Sequence, residues 1–432
     1  MIAALLFGLF TILLIIGVPI AIALGASGMV AIIINNWDTQ WFGLMSVPQS
    51  FYAGLSKYPL LAIPMFVLLG TIFERSGVAL RVVNFATALI GRGPGMLPMI
   101  SIIVAMFMGG ISGSGPASAA AIGGVMISAM TRAGYIPAFS ASVVAAGAAT
   151  DILIPPSVAF IIYSILVPQA AVTDLFVAGV IPGLLTGICL IIPSFYLSRK
   201  YNMGLKEHDI EKPKLWESFL KAFWGLSAPF VILGGMRLGW FTPTEAAVVA
   251  VFYGLFIGMV IYRSISFKDL FYILRDSAEL SAIILFVVTV AGIFAWALST
   301  SSIIDPITEA IVHSGLNEYT ILAIIILLLI IFGMFLDGIS IFLIFIPLLL
   351  PIAHHFNWDL VWFGTILTLM VAVGQFTPPL AVNLMVSCRI AKVPIESTLR
   401  WVIWLVLGML VVLVLVILFP WLATGLPHYL NQ

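Results

Sequence analysis

Charged side chains are scarce in this sequence of 432 residues. Asp, Glu, Lys and Arg together make up 8% of it, whereas hydrophobic residues make up 62%. Soluble globular domains are about 25% charged, so a water-soluble fold is excluded. The formal net charge of zero gives no indication of nucleic-acid binding. Apolar runs close to the roughly 20 residues that cross a bilayer recur along the chain, which predicts an all-α polytopic membrane protein.

Cysteine and histidine are also rare. Cys189 and Cys388 lie in apolar surroundings in different halves, so no disulfide framework is predicted. The five histidines lie in predicted loops or at predicted membrane ends, and no pattern of metal ligands or of a nucleophile with a base stands out. We therefore expect no enzymatic activity, and an ion channel is less favoured than a carrier. No signal-peptide pattern precedes Ile2, where we expect the first membrane helix to begin.

The distribution of Lys and Arg predicts the topology, because basic residues concentrate in cytoplasmic loops. Residues 1–56 contain none, which predicts a periplasmic N-terminus, two scaffold helices and a periplasmic loop at 35–49. Residues 199–221 contain six and are interpreted as a cytoplasmic connector between two halves. Only Lys57 and Arg237 are then expected on the periplasmic side, where we also place the C-terminus. The two halves are predicted to enter the membrane with opposite orientation.

Two apolar spans are interrupted by the same signature. Each interruption contains a Pro-Pro pair, and Pro155-Pro156 precedes Pro378-Pro379 by 223 residues. The same offset relates two pairs of glycines, Gly110 to Gly333 and Gly115 to Gly338. Paired helix breaks at matching positions of two halves are typical of transporters with inverted repeats, whose binding site lies near the bilayer midplane.

Each half is predicted to contain a re-entrant helical hairpin followed by a broken helix. The first hairpin is predicted at 94–131 with its tip at 112–116, and the second at 317–354 with its tip at 335–339. Residues 1–57 are predicted to form the N-terminal scaffold helices and loop, and residues 58–198 form repeat 1, with an arm helix and a broken helix at 138–166. The connector at 199–221 is followed by a scaffold helix pair at 222–276. Residues 277–425 form the rest of repeat 2, with an arm at 303–315 and a broken helix at 361–387.

Four helix ends are thus expected to meet at the midplane. Irregular backbone inside a bilayer is tolerated only where it is buried in protein or lines a wet cavity. Helices that begin there direct their positive ends at the cavity and favour an anion. Helices that end there leave carbonyl oxygens free, and such hard ligands suit Na⁺. The candidate Na⁺ ligands are Ser112, the Asp151 carboxylate, Thr377 and the backbone at Gly110, Gly333 and Gly374.

Prolines and small polar residues predict where these helices begin. Pro116, Pro155 and Pro378 suit the first helical position, with Ser114 or Gly115 and Thr377 as N-caps. Structural explanations compete with the functional ones. The Ser-Gly segment can be a close helix contact, the Pro-Pro pairs can be kinks, and Asp151 and Asp337 can be satisfied carboxylates near an interface.

Several segments resemble the large membrane subunit of tripartite ATP-independent periplasmic (TRAP) transporters. They are Leu61–Phe66 (LAIPMF), Phe107–Pro116 (FMGGISGSGP), Ile154–Ser157 (IPPS) and Phe241–Ala247 (FTPTEAA), and the resemblance extends over about residues 2–425. The last segment contains a capping box from Thr242 to Glu245, which suggests a structural role. The resemblance implies an elevator-type carrier of the ion-transporter superfamily in the bacterial inner membrane.

The resemblance also implies ligands and partners. Substrate would contact Ser114, Gly115, Pro116, Asp337 and Gly338. Two Na⁺ sites would lie at Ser112, Asp151, Ile154 and Ser157 and at Gly333, Gly374, Thr377 and Leu380, mostly through backbone carbonyls. Partners would be a small four-helix membrane subunit and a periplasmic substrate-binding protein. Relatives often carry glycine where this chain has Asp151, whose carboxylate could strengthen cation binding, repel a substrate anion or take a proton.

The function predicted from all of this is Na⁺-driven import of an organic acid that a periplasmic binding protein delivers. The alternative is a standalone Na⁺/dicarboxylate symporter that works without a binding protein. No intramembrane arginine is available to recognise a particular carboxylate. The acid is therefore left open between C4-dicarboxylates, sialic acid and others.

Overall fold

The computed structural model describes residues 2–37, 40–209, 212–301, 303–313 and 315–430. The described backbone consists of helices and their connections, and seven of the described helices are long and apolar enough to cross a membrane. The predicted all-α polytopic class is therefore confirmed. Residues 38–39, 210–211 and 314, which fall in the predicted periplasmic loop, connector and second arm, lie outside the described residues.

The first half of the chain folds into helices α1 to α10. Their bounds are α1 Ile2–Ile15, α2 Ile20–Asn35, α3 Gln40–Leu55, α4 Ala62–Arg75, α5 Val78–Ile90, α6 Met96–Ser112, α7 Gly115–Arg132, α8 Pro137–Ala149, α9 Val158–Leu166 and α10 Val172–Lys200. The α6–α7 pair forms the first hairpin. A short 3-10 turn at Thr150–Ile152 and an irregular segment separate α8 from α9.

The second half folds into helices α11 to α20. Their bounds are α11 Leu215–Arg237, α12 Pro243–Leu255, α13 Phe267–Thr300, α14 Ile304–Val312, α15 Glu318–Gly333, α16 Gly338–His355, α17 Leu360–Gly374, α18 Val382–Ala391, α19 Leu399–Leu418 and α20 Trp421–Leu430. The α15–α16 pair forms the second hairpin, and α17 and α18 are the two parts of the broken helix.

The repeat is visible in the helix bounds. Helix α7 begins at Gly115 and ends at Arg132, and α16 begins and ends 223 residues later, at Gly338 and His355. Helix α7 packs against α18 of the second half, while α16 packs against α9 of the first. Such reciprocal packing is expected of two repeats related by a pseudo-two-fold axis.

The segment at 35–49 corrects one prediction. Helix α3 begins at Gln40, so most of the predicted periplasmic loop is helical. The reason is tertiary packing, because α3 lies along the long helix α13. At Gly54, a Cβ atom would stand 3.1 Å from the Thr289 carbonyl oxygen, so the two backbones touch. A sequence pattern of scarce charge and scattered polar residues does not reveal such a contact.

The helix starts confirm some of the predicted caps and correct others. Ser114 is the N-cap of α7 and Pro116 lies in its first turn, as predicted. Pro155 does not begin a helix, because α9 starts at Val158 with Ser157 as its N-cap. Pro378 also lies ahead of its helix, since α18 starts at Val382. A proline disfavours helical backbone in the residue before it, so a Pro-Pro pair delays the helix start.

Thr377 is not an N-cap. Its Oγ1 atom instead donates a 2.5 Å hydrogen bond to the Val373 carbonyl oxygen, in the last turn of α17. The residue before α18 is Ala381, with a φ of 47° in the left-handed region. The Met334 carbonyl oxygen accepts hydrogen bonds from the backbone nitrogens of Leu380 and Ala381, at 3.3 and 3.4 Å. The end of α15 therefore fixes this loop.

The start of the connector is fastened to the base of the first hairpin. Glu207 is buried and accepts hydrogen bonds from the backbone nitrogens of Gly93, at 3.0 Å, and Leu97, at 3.4 Å. The Tyr135 hydroxyl, which follows α7, also donates to Glu207. Burial, and then the hydrogen bond to Glu207, raise the pKa of Tyr135. Connector and hairpin base are thus expected to move together.

Thr242 and Glu245 form the predicted capping box at the start of α12. Glu245 N donates to Thr242 Oγ1 at 3.3 Å, and Thr242 N donates to Glu245 Oε2 at 2.8 Å. The box satisfies donors that the first helical turn cannot pair internally. It lies in the turn between α11 and α12, away from the hairpin tips, which supports the structural role suggested by the sequence.

Candidate substrate and cation site

The two hairpin tips enclose a cavity of about 200 Å³. Helix α4 and helix α13 contribute to its walls. All five residues predicted to contact substrate line it, and Ser112 lines it beside them. The residues shared between prediction and cavity are Ser112, Ser114, Gly115, Pro116, Asp337 and Gly338. The structure therefore brings the predicted substrate residues of both halves to one place.

The first group of predicted cation ligands is also brought together. At Gly113 in the hairpin tip, a Cβ atom would stand 2.8 Å from the Pro156 carbonyl oxygen and 3.4 Å from Ser157 Cα. The Ser157 hydroxyl donates to the Ile152 carbonyl oxygen at 2.6 Å. Close to the tip, Gly110 stands next to the Pro155 carbonyl oxygen and the Ile154 side chain. The tip and the helix break thus form one contact surface.

Asp151 is the most unusual group at this surface. Its side chain is 0% exposed, and neither carboxylate oxygen has a hydrogen-bond partner in the described structure. The hydroxyls of Ser112 and Ser118, which lie 3.0 Å apart, face the carboxyl group. A buried and unpaired carboxylate costs several kcal/mol. A cation or a proton at this position would remove that cost.

The second group of predicted cation ligands meets where α15 and α17 end. A Cβ atom on Gly374 would stand 2.6 Å from the Cα, carbonyl carbon and oxygen atoms of Gly333, so only two glycines fit. The Thr377 nitrogen donates to the Gly374 carbonyl oxygen at 3.2 Å, and Leu380 N donates to the adjacent Met334. Gly333, Gly374, Thr377 and Leu380 therefore share one small region that is rich in carbonyl oxygens.

The two hairpin tips differ in how their helix N-termini are capped. Asp337 caps α16, and its carboxylate accepts hydrogen bonds from the Ile339 and Ser340 nitrogens and from the Ser340 hydroxyl. Within the part of the chain that the structure describes, Ser114 makes no side-chain cap bond at α7. The first turn of α7 therefore keeps open donors, and its positive end is free to bind an anion. Asp337 occupies the corresponding place in the second half, so its role is that of a cap.

The cavity lining includes functional candidates that the sequence pattern did not reveal. Glu74 and Thr71 of α4 line it, and so does Gln375, which follows α17. None of the lining residues is Lys, Arg or His. Glu74 gave a weak signal, as an acid near the end of an apolar span. Gln375 stands inside the second interruption, but an amide next to a Pro-Pro pair has no distinctive pattern.

Nearly the whole chain matches one known protein family. Residues 7–422 match the family model described as "Tripartite ATP-independent periplasmic transporter, DctM component". The chain belongs to this family. The resemblance noted on short motifs thus extends over nearly the whole chain, and the protein is a multi-pass membrane transport protein of the large-permease type.

Several relatives cover the full chain. The uncharacterized protein YgiK of Salmonella typhimurium is 38% identical, over 98% of this chain and 96% of its own length. The C4-dicarboxylate TRAP transporter large permease protein DctM of Rhodobacter capsulatus is 34% identical, over 100% of both chains. The isethionate TRAP transporter permease protein DctMQ of Oleidesulfovibrio alaskensis is 35% identical over 96% of this chain, which spans 65% of that longer protein.

Two solved structures share the fold. The YdaH transporter of Alcanivorax borkumensis aligns with a TM-score of 0.59 and 14% identity, covering 88% of this chain and 90% of its own. MtrF of Neisseria gonorrhoeae aligns with a TM-score of 0.60 and 12% identity, covering 92% and 95%. At such low identity the likeness shows the fold alone. Both are transporters, in keeping with the family.

Proposed function

We propose that this chain is the large permease of a TRAP transporter that imports an organic acid, driven by Na⁺ through an elevator mechanism. The observation that carries the proposal is the cavity between the two hairpin tips. The open N-terminus of α7 faces it, and an unpaired buried carboxylate, Asp151, lies behind it. The N-terminus of α7 can therefore attract an anion into the cavity, and the Asp151 carboxylate can attract a cation to the adjacent site.

The cations are proposed to bind at the two tip-and-break contacts. The first site comprises Ser112, Asp151, Ile154 and Ser157, and the second comprises Gly333, Gly374, Thr377 and Leu380. Carboxylate, hydroxyl and backbone oxygens are the ligands that hard cations prefer. Of the three roles that Asp151 could have, its unpaired oxygens favour cation binding, because a bound cation neutralises the carboxylate near a substrate anion.

Coupling follows from charge. Glu74 and Asp337 line the cavity without any basic neighbour among its lining residues, so an incoming acid meets a negative environment. Bound Na⁺ ions would offset that charge and bring the tips together around the substrate. Each Na⁺ that enters down a potential of 100 mV contributes about 2.3 kcal/mol. The block of hairpins and broken helices would then slide along the scaffold helices.

The partners are proposed from the family and its members. The family is described as tripartite, and this chain aligns with large permeases. We therefore propose a small membrane subunit and a periplasmic substrate-binding protein as partners, in the bacterial inner membrane. The names of relatives point to C4-dicarboxylates, isethionate and sialic acid as candidate substrates. All three are acids, which suits the open helix N-terminus.

Uptake into proteoliposomes tests the function. The chain is reconstituted with the small subunit encoded beside it, and uptake of radiolabelled succinate, isethionate and sialic acid is measured. We expect uptake of one acid only when an inward Na⁺ gradient and the neighbouring binding protein are both present. Uptake without the binding protein would instead establish the standalone symporter. Ohmic current in place of saturable uptake would contradict both carriers.

The Na⁺ dependence of uptake tests the cation sites. Thr377→Ala and Asp151→Ala should each raise the Na⁺ concentration for half-maximal uptake by about 10-fold, since a lost ligand to a charged group is worth roughly 1.5 kcal/mol or more. Thr424→Ala is the matched control, because the Thr424 hydroxyl donates to the carbonyl four residues earlier, as Thr377 does, but on an exposed helix. Unchanged Na⁺ titrations in both site variants would disprove the assignment.

A further inference from the structure

The side chain of Gln375 lies between the two hairpin tips. A Cβ atom on Gly115, at the first tip, would stand 2.7 Å from Gln375 Oε1. A Cβ atom on Gly338, at the second tip, would stand 3.5 Å from Gln375 Nε2. Gln375 also lines the cavity. One amide group therefore spans the gap between the halves, and at the first tip the glycine leaves room for it.

Asn383 fixes the orientation of Gln375. Asn383 Nδ2 donates to Gln375 Oε1 at 3.3 Å, and the Asn383 backbone nitrogen donates to the Gln375 carbonyl oxygen at 3.0 Å. Asn383 is 0% exposed, and its Oδ1 atom has no partner in the described structure. The unpaired Oδ1 atom is an acceptor and cannot donate to an acid group, so the contribution of Asn383 at this place is the pair of hydrogen bonds that hold Gln375.

Several donors at this place are unused. Within the described residues, Gln375 Nε2 donates no hydrogen bond, and neither do the backbone nitrogens of Gly115 and Ala117 in the first turn of α7. Gln375 and the first turn of α7 line the same cavity. Together they form a set of neutral N–H donors, which is the arrangement that binds the oxygens of an acid group when no basic side chain is present.

We propose that Gln375 is a substrate-contacting, specificity-determining residue, and that Asn383 is the positioning residue that directs it into the cavity. The ligand is the acid group of the substrate, a carboxylate or a sulfonate. Its oxygens accept hydrogen bonds from Gln375 Nε2 and from the open nitrogens of α7. The inference rests on the proposed function and deepens it, because it names the side chain that recognises the acid.

Substitution of Gln375 tests the contact in the reconstituted uptake assay, with the acid that the wild-type protein imports among succinate, isethionate and sialic acid. Gln375→Leu removes the donor at similar volume, and KM should rise by about 10- to 100-fold, with a smaller change in kcat. In Gln375→Glu, KM should rise further than in Gln375→Leu, because the new carboxylate repels the incoming anion. Gln169→Glu, the same change in an exposed loop, is the matched control and should leave KM unchanged.

Asn383→Asp tests the positioning role with little change in shape. The new carboxylate accepts a hydrogen bond from Gln375 Nε2 and turns it away from the cavity, so KM should rise about as far as in Gln375→Leu. The double variant should equal Gln375→Leu alone, because the two residues act as one unit. Thermal unfolding of each purified variant distinguishes this effect from a loss of folding.

The possible outcomes distinguish a failure of the inference from a failure of the proposed function on which it rests. A Gln375→Leu variant that keeps its KM within twofold of wild type would overturn the inference and leave the proposed function standing. A fall in kcat and thermal stability with an unchanged KM would overturn it too, since that pattern describes a structural residue. Wild-type uptake that requires neither Na⁺ nor the binding protein would overturn the proposed function, while the KM of Gln375→Leu would still decide whether Gln375 contacts the acid.

Discussion

At the scale of single residues, two of the described carboxylates are buried, and they differ in their surroundings. Glu207 accepts hydrogen bonds from two backbone nitrogens and from Tyr135. Asp151 has no hydrogen-bond partner in the described structure. The first carboxylate has the donors that a structural role requires. Asp151 lacks such donors, so the free-energy cost of burying its carboxylate has to be offset by a cation or a proton that binds there.

Removing the Tyr135 hydroxyl should destabilise the fold. In Tyr135→Phe, the buried Glu207 loses one of its hydrogen-bond donors, and the buried Gly95 nitrogen loses the hydroxyl that accepts from it. A buried group left unsatisfied costs about 1–3 kcal/mol. Thermal unfolding of the purified protein should show a lower midpoint than in wild type. Tyr319→Phe, a change at a tyrosine that is 66% exposed, should leave the midpoint unchanged.

The Tyr135 prediction is independent of transport. If the Tyr135→Phe midpoint equals that of Tyr319→Phe, the contact between Glu207 and Tyr135 contributes nothing to stability. The backbone nitrogens of Gly93 and Leu97 would then be what holds Glu207 at the hairpin base. Uptake measured in the same variant shows whether this attachment also contributes to movement of the hairpins.

At the scale of helices, the contact between α15 and α17 depends on a pair of glycines. Gly333 and Gly374 approach so closely that a Cβ atom on Gly374 would stand 2.6 Å from three backbone atoms of Gly333. Backbone atoms cannot move aside as a flexible side chain can. The two helix ends therefore meet at a distance that only glycine permits, and this closeness concentrates their carbonyl oxygens in one place.

Gly374→Ala should separate these two helix ends. Overpacking of this kind costs about 1–3 kcal/mol. We expect a lower unfolding midpoint together with a weaker Na⁺ dependence of uptake, because the displaced carbonyl oxygens belong to the second proposed cation site. Gly124→Ala in α7 is the control, since a Cβ atom there meets nothing within 4 Å. Identical behaviour of the two variants would argue against a close packing role for Gly374.

The helix starts show what the sequence could predict. The starts of α7 and α16 follow from residues whose backbone preferences are strong, namely Gly115 with Pro116 and Asp337 with Gly338. The start of α18 could not be predicted, because hydrogen bonds to Met334 of another helix shape the preceding loop. Helix α3 escaped prediction for the same reason, since its contact with α13 is tertiary.

The candidate site was predicted in part. The tips carry glycine, serine and proline, which are recognisable in an apolar span, and the structure places them around one cavity. The amides of Gln375 and Asn383 lie eight positions apart in the sequence and meet only through the loop between α17 and α18. Polar residues that depend on a loop fold for their contact leave no periodic signal.

At the scale of the whole molecule, the sidedness of the chain is still a prediction from its Lys and Arg residues. The connector contains six of them within residues 199–221, and residues 1–56 contain none. Basic residues retained on the cytoplasmic side place the connector inside and both termini outside. The matching helix bounds of α7 and α16 agree with two copies of one unit, and the opposite charge bias of the two halves predicts that they insert in opposite senses.

Reporter fusions test this topology in cells. Alkaline phosphatase fused after Gln432 should be active and green fluorescent protein fused there should be dark, because a periplasmic C-terminus exports both. Fusions within the connector, after Lys212, should give the reverse result. A fluorescent C-terminal fusion would invert the assignment of the outer and inner faces. Fluorescence at both positions would place the connector and the C-terminus on the same side of the membrane, which contradicts the prediction that the two halves insert with opposite orientation.

The unequal capping of the hairpin tips has a consequence for the roles of the two copies. The second tip caps its own helix with Asp337, whereas in the described structure the Ser114 side chain makes no cap bond at the first tip. Under the proposed function, the second tip is therefore a self-contained brace and the first tip is the receptor for the acid group. Exchanging the tip residues between the halves should therefore not restore a working carrier, even though the spacing of the two tips matches residue for residue.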